Sequence, residues 1–97
     1  MDLRIPEGID LRKYIDTDTF MARPHIRGRR VPVATIAYSA RDLGWDIAKL
    51  AYEFTLSETQ VLAALLYYQE QKVLIDNQEA EYQAQLDEAY RMYSSKD

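Results

Sequence analysis

Two helix-start signals stand eleven positions apart in the middle of this chain, and they leave room for a short helix, a tight turn and a second helix. At the first, Asp46 offers a carboxylate to the unpaired backbone N–H groups of a new helix, and Trp45 before it faces Leu50 in a hydrophobic-staple arrangement. At the second, Ser57 and Gln60 form an S-x-x-Q capping box, and Leu56 with Val61 repeats the staple. The helix opened at Asp46 therefore runs through about Glu53. The one opened at Ser57 carries Val61, Leu62, Leu65, Leu66 and Tyr68 and is longer, its pattern fading near Ile75.

A preceding helix is predicted over residues 33–43, where Val33, Ile36, Ala37 and Ala40 recur at three- and four-residue spacing and Gly44 supplies a C′ stop. One helix, then a short helix, a tight turn and a further helix is the layout of a helix-turn-helix domain. Asp76-Asn77-Gln78-Glu79 has the form of another capping box, opening a last helix with Tyr82, Leu86, Ala89, Tyr90 and Tyr93 in one stripe and Gln, Glu and Asp opposite. The same residues also admit a preceding helix that runs on through Asp76, or one that kinks there. Residues 1–22 read as an arm anchored by Leu11, Tyr14, Ile15 and Phe20, with a short strand around Thr19 to Ala22. The predicted fold is mainly α. It is a small helix-turn-helix-like helical domain over residues 1–75 with a short N-terminal β-ribbon or arm, followed by an acidic amphipathic C-terminal helix over residues 76–97.

Ninety-seven residues, 47% of them hydrophobic, suffice for one modest core. Cysteine is absent, which removes disulfides and thiolate metal sites and fits a reducing compartment. No apolar run approaches the ~18 residues that span a bilayer, and the first residues lack the apolar core of a signal peptide, so a cytoplasmic location is expected. Charge is divided along the chain. Residues 1–50 hold nine Lys/Arg against seven Asp/Glu, and residues 51–97 hold three against nine, giving +2 and −6.

Much of the positive charge lies in Arg23-Pro24-His25-Ile26-Arg27-Gly28-Arg29-Arg30-Val31-Pro32-Val33. The two prolines bias their predecessors toward extended backbone and Gly28 permits positive φ, so the segment reads as a turn or short β-ribbon. Arg23, Arg27, Arg29 and Arg30 present guanidinium forks matched to phosphates and guanine edges. The alternative is that they pair with the chain's own carboxylates. On the candidate recognition helix, Thr59 suits a phosphate or thymine methyl and Gln60 an adenine edge, whereas Glu58 opposes the phosphate field. His25 is the single histidine, expected to face solvent or bond to backbone. No metal site or cofactor is expected. Asp16/Asp18 and Asp87/Glu88 do not form a converging acid–base pair, and no phosphate-binding loop or nucleophile elbow is present, so catalysis is not expected. Of the eight tyrosines, Tyr68 suits the core, whereas Tyr82, Tyr90 and Tyr93, with Leu86, suit a partner interface.

Pro24, Ile26, Arg27, Gly28, Arg30, Val31, Pro32 and Val33 follow the pattern P-x-I-x-G-T-R-I-P-V, and Gly44, Ile47, Val61, Ala64, Leu65 and Tyr67 continue it. In these residues the chain resembles domain-of-unknown-function family 433, small bacterial and archaeal proteins regarded as antitoxins of toxin–antitoxin pairs. Arg29 stands where the family usually has threonine, and Glu53-Phe54 replaces a frequent Tyr-Pro. The resemblance implies a type II antitoxin that binds and neutralises a PIN-like ribonuclease toxin, forms a homodimer and represses its own operon through DNA. A stand-alone helix-turn-helix DNA-binding regulator without a toxin is the alternative, and a purely structural interaction module is a third reading.

Overall fold

The chain is described by a computed structural model over residues 10–18 and 23–94. A 3₁₀ turn, Leu11–Lys13, leads into β1 (Ile15–Asp16), which pairs antiparallel with β2 (His25–Ile26) in the register Ile15 to Ile26 and Asp16 to His25. Four helices follow: α1 (Val33–Leu43), α2 (Ile47–Phe54), α3 (Glu58–Glu70) and α4 (Lys72–Ser94). The mainly helical fold with a short β-ribbon and a C-terminal helix is thus as the sequence predicts. The strand expected around Thr19 to Ala22 lies outside the described residues.

The arginine segment folds back on itself as a ribbon. The Arg29 N–H donates to the Ile26 carbonyl at 3.0 Å and Gly28 sits at φ 78°, a type II turn that needs a residue tolerant of the left-handed region at its third position. Ile26 N–H donates to the Val31 carbonyl and Val33 N–H to the Pro24 carbonyl, which also satisfies an otherwise unpaired donor at the start of α1. Pro32 caps α1 without a side-chain hydrogen bond, and Gly44 at φ 68° ends it.

α2 starts at Asp46, whose carboxylate accepts from the Lys49 N–H at 2.8 Å. It ends in a Schellman-type closure, Leu56 N–H to the Ala51 carbonyl, with Thr55 at φ 55° where glycine is usual. α3 opens with the complete capping box. Ser57 Oγ accepts from the Gln60 N–H, and Gln60 Oε1 accepts from the Ser57 N–H. α1 and α2 pack on α3 around Ile26, Val33, Ile36, Leu50, Val61, Ala64 and Tyr68, all buried. The Tyr38 and Tyr68 rings meet edge to face at 5.9 Å.

Asp76 does not open the last helix. α3 and α4 are separated by Gln71 alone, whose N–H is shared between the Tyr67 and Tyr68 carbonyls, and α4 runs unbroken from Lys72 through the expected division at residues 75 and 76. The Asp76 carboxylate is drawn to other donors: Tyr38 and Tyr68 hydroxyls at 2.7 and 2.8 Å on Oδ1, and Lys72 at 3.1 Å on Oδ2. Ile75 beside it is buried, so the first turns of α4 belong to the core. Among the described residues, no helix is long and apolar enough to cross a membrane.

Candidate functional site

All four arginines engage groups of the chain itself. Arg23 forms a two-pronged ion pair with Glu79 of α4, Nε to Oε2 and Nη2 to Oε1, both 2.9 Å, with each side chain 19% exposed. Its guanidinium also lies 4.1 Å from the centre of the Tyr82 ring, a cation–π contact that attaches α4 to the ribbon. Arg27 donates to the Arg12 and Ile15 carbonyls and lies 3.7 Å from Asp16. Arg29, the departure from the family pattern, donates to the Thr55 and Phe54 carbonyls at 2.7 and 3.2 Å, covering the C-terminal end of α2 where a cation is favoured. Arg30 is exposed and shares a shallow groove with Arg23, His25 and Pro32. His25 is buried, with Nδ1 3.1 Å from the Arg23 carbonyl oxygen, the backbone-bonded alternative of the two expected.

At the start of α3, Glu58 and Thr59 are exposed. The Gln60 side-chain oxygen Oε1 accepts from the Ser57 N–H in the capping box, which directs the side chain back to its own helix end. Thr59 borders a groove with Asp10, Lys13, Tyr14, Leu62 and Leu66. Lys13 is a cation the sequence reading passed over. Its position two residues before Ile15 of the ribbon is the only signal, and that needs the pairing of β1 with β2 to be read.

The four residues named for partner binding fall on one face of α4 but in two environments. At 100° per residue, Ile75, Glu79, Tyr82, Leu86, Tyr90 and Tyr93 share a side. Ile75 is buried and Tyr82 half-buried against Arg23, whereas Leu86, Tyr90 and Tyr93 are 45%, 75% and 81% exposed. Asp76 meets Tyr38 in the middle of α1, and Glu79 and Tyr82 meet Arg23, next to Pro24, whose carbonyl accepts from the Val33 N–H at the start of α1. α4 therefore runs back along α1 and projects beyond its N-terminal end, and residues 83–94 are all exposed. The molecule is 57 Å long and at most 27 Å across.

The family model described as protein of unknown function (DUF433) matches residues 14–68, more than half the chain. The chain belongs to this family. The DUF433 match takes in the ribbon, α1, α2 and α3 up to Tyr68, and α4 lies beyond it. No curated protein and no solved structure matches the chain significantly.

Proposed function

We propose that the chain is the antitoxin of a type II toxin–antitoxin pair, acting in the cytoplasm as a homodimer and neutralising a PIN-like ribonuclease with the projecting half of α4. The observation that carries this reading is the α4 stripe. The face that is buried at Ile75 and covered by Arg23 at Tyr82 continues uncovered through Leu86, Tyr90 and Tyr93. Tyrosines joined to a leucine at helical spacing suit a groove that is apolar in its depth and wet at its rim. Asp87 and Glu88 flank the stripe in a half of the chain that carries −6, a charge complementary to a surface that accommodates RNA.

The test is co-expression with a PIN-like nuclease encoded beside the chain. Relief of growth arrest and a complex that survives purification are expected, and Leu86→Ala with Tyr90→Ala abolishes both. A nuclease that stays active beside the full chain overturns the reading.

Operator binding is a second activity, and taken alone it gives the stand-alone regulator. What favours it is a cation on either side of the start of α3, Lys13 in the groove with Thr59 and Arg29 on the carbonyls of the α2–α3 turn. Phosphate contacts by these two cations each contribute about one to the salt slope of promoter binding. Anisotropy titrations of Lys13→Ala and Arg29→Ala across salt concentrations measure it, and an unchanged slope removes DNA from the account.

A further inference from the structure

From Ile75 onward, one line of α4 residues recurs at alternating steps of four and three, through Glu79, Tyr82, Leu86 and Ala89 to Tyr93. A seven-residue repeat of this kind is the seam along which one helix packs lengthwise on another. From Ile75 to Tyr82 the chain covers the seam itself: Ile75 is buried, Tyr38 of α1 reaches Asp76 beside it, and Arg23 takes Glu79 and Tyr82. Past Tyr82 the seam continues through Leu86, Ala89 and Tyr93, all exposed.

We infer that the outer half of α4 pairs antiparallel with the same segment of a second copy of this chain. Charge, side-chain size and length each select that occupant. At 100° per residue, the positions about 60–80° to either side of the seam are Gln78, Gln85, Gln83 and Tyr90, all uncharged. Glu81, Asp87 and Glu88 stand about 120–140° away, so an identical and equally acidic helix approaches without like charges along the contact. About a two-fold axis at the level of Asp87 and Glu88, Leu86 meets Ala89 of the second copy, Tyr82 meets its Tyr93, and Tyr90 lies beside its Gln83. Large then faces small, and a phenol faces an amide. Length decides the direction. α1 lies on the seam side of α4, so a parallel pairing drives the two folded parts into one another. In the antiparallel pair, residues 83–94, about 18 Å of helix, fit between the folded parts, and the second copy's helix continues the line of α1. The inference deepens the antitoxin reading by naming the surface of its homodimer, and it makes the second copy and the nuclease alternative occupants of one stripe.

The test is sedimentation equilibrium of the full-length chain from about 1 μM to about 1 mM. Half-dimerisation is expected between about 1 and 100 μM, the range of a small interface, and a chain that stays monomeric throughout overturns the pairing. Leu86→Glu, at an exposed site, sets two acids beside the axis and raises the dissociation constant at least about tenfold, while circular dichroism of the variant stays unchanged. An unchanged constant puts the dimer on another surface and overturns the proposal. The chain has no cysteine, so engineered ones report orientation. Under mild oxidation, Leu86→Cys mixed with Ala89→Cys gives a linked pair, and preferential linking of Ala89→Cys to itself overturns the antiparallel order. None of these readouts uses the nuclease. Failure here leaves the antitoxin reading to its co-expression test, and failure of that test leaves the dimer standing.

Discussion

Tyr38 of α1 donates its hydroxyl to Asp76 of α4 at 2.7 Å, across thirty-eight residues of sequence. Tyr68 of α3 donates to the same oxygen, so one carboxylate ties three helices together. Tyr38→Phe keeps the edge-to-face ring contact and removes only the donor. The expected loss is about 1.5 kcal/mol, as for a hydrogen bond to a charged group, read from urea denaturation. Tyr38→Phe with Tyr68→Phe costs more than the sum of the two, because Asp76 then retains only Lys72.

The same node sets a pH dependence. Hydrogen bonds from Tyr38, then Tyr68, hold the Asp76 carboxyl below its ordinary value. A depressed folded pKa means that the stabilisation is complete above the unfolded carboxylate value of about 3.9 and disappears as pH falls below it through the folded value. The difference in guanidinium midpoint between the unaltered chain and Asp76→Asn is therefore constant from neutral pH to about 5 and shrinks below about 4. A difference that grows in acid contradicts the assignment.

Thr55 holds a left-handed backbone conformation with a β-branched side chain. Thr55→Gly relieves a strain of roughly 1–2 kcal/mol and gives back part of it as unfolded-chain entropy. A net gain of about 0.5–1 kcal/mol is expected in thermal melts. Because the α2–α3 turn keeps its geometry, the far-ultraviolet spectrum should not change.

The arginines should rank by their partners. Arg23→Ala leaves Glu79 half-buried without its counter-charge and is expected to cost about 2 kcal/mol. Arg27→Ala, at a side chain 50% exposed, should cost under about 1 kcal/mol. Equal costs in urea denaturation would mean that the ion pair with Glu79 is not formed in solution.

Ending the chain after Gln83 removes only exposed residues from the described part of α4. The melting temperature should shift by less than about 3 °C, while partner binding is lost. A collapse of the melting transition would place the tip of α4 in the fold itself.

Local signals carried most of the architecture. Val33 to Gly44 read correctly to the residue because apolar spacing and a positive-φ stop act within one helix, and Asp46, Ser57 and Gln60 cap as their side chains dictate. Asp76 misleads for a physical reason. Its capping pattern is real, but hydroxyls from Tyr38 and Tyr68 compete for the carboxylate, and neither contact is written in the neighbouring sequence. The arginine segment divides in the same way. Gly28 and the prolines announce the ribbon, whereas the fates of Arg23 and Arg29 depend on Glu79 and on the carbonyls of Phe54 and Thr55, which only the folded chain brings near. The stripe on α4 was legible as a stripe. Where it passes from covered to uncovered was not, since that depends on how far α1 and the ribbon reach.

That passage occurs at Tyr82, which makes the outer part of α4 a lever with its fulcrum at Arg23. Eleven residues separate Tyr82 from Tyr93, about 16 Å of helix. A tilt of about 10° at the fulcrum sweeps the tip through about 3 Å, comparable to a full hydrogen-bond length. The guanidinium that grips Glu79 and Tyr82 therefore sets the aim of residues it never touches. A partner that recognises the tip also senses the angle at which the ribbon holds it.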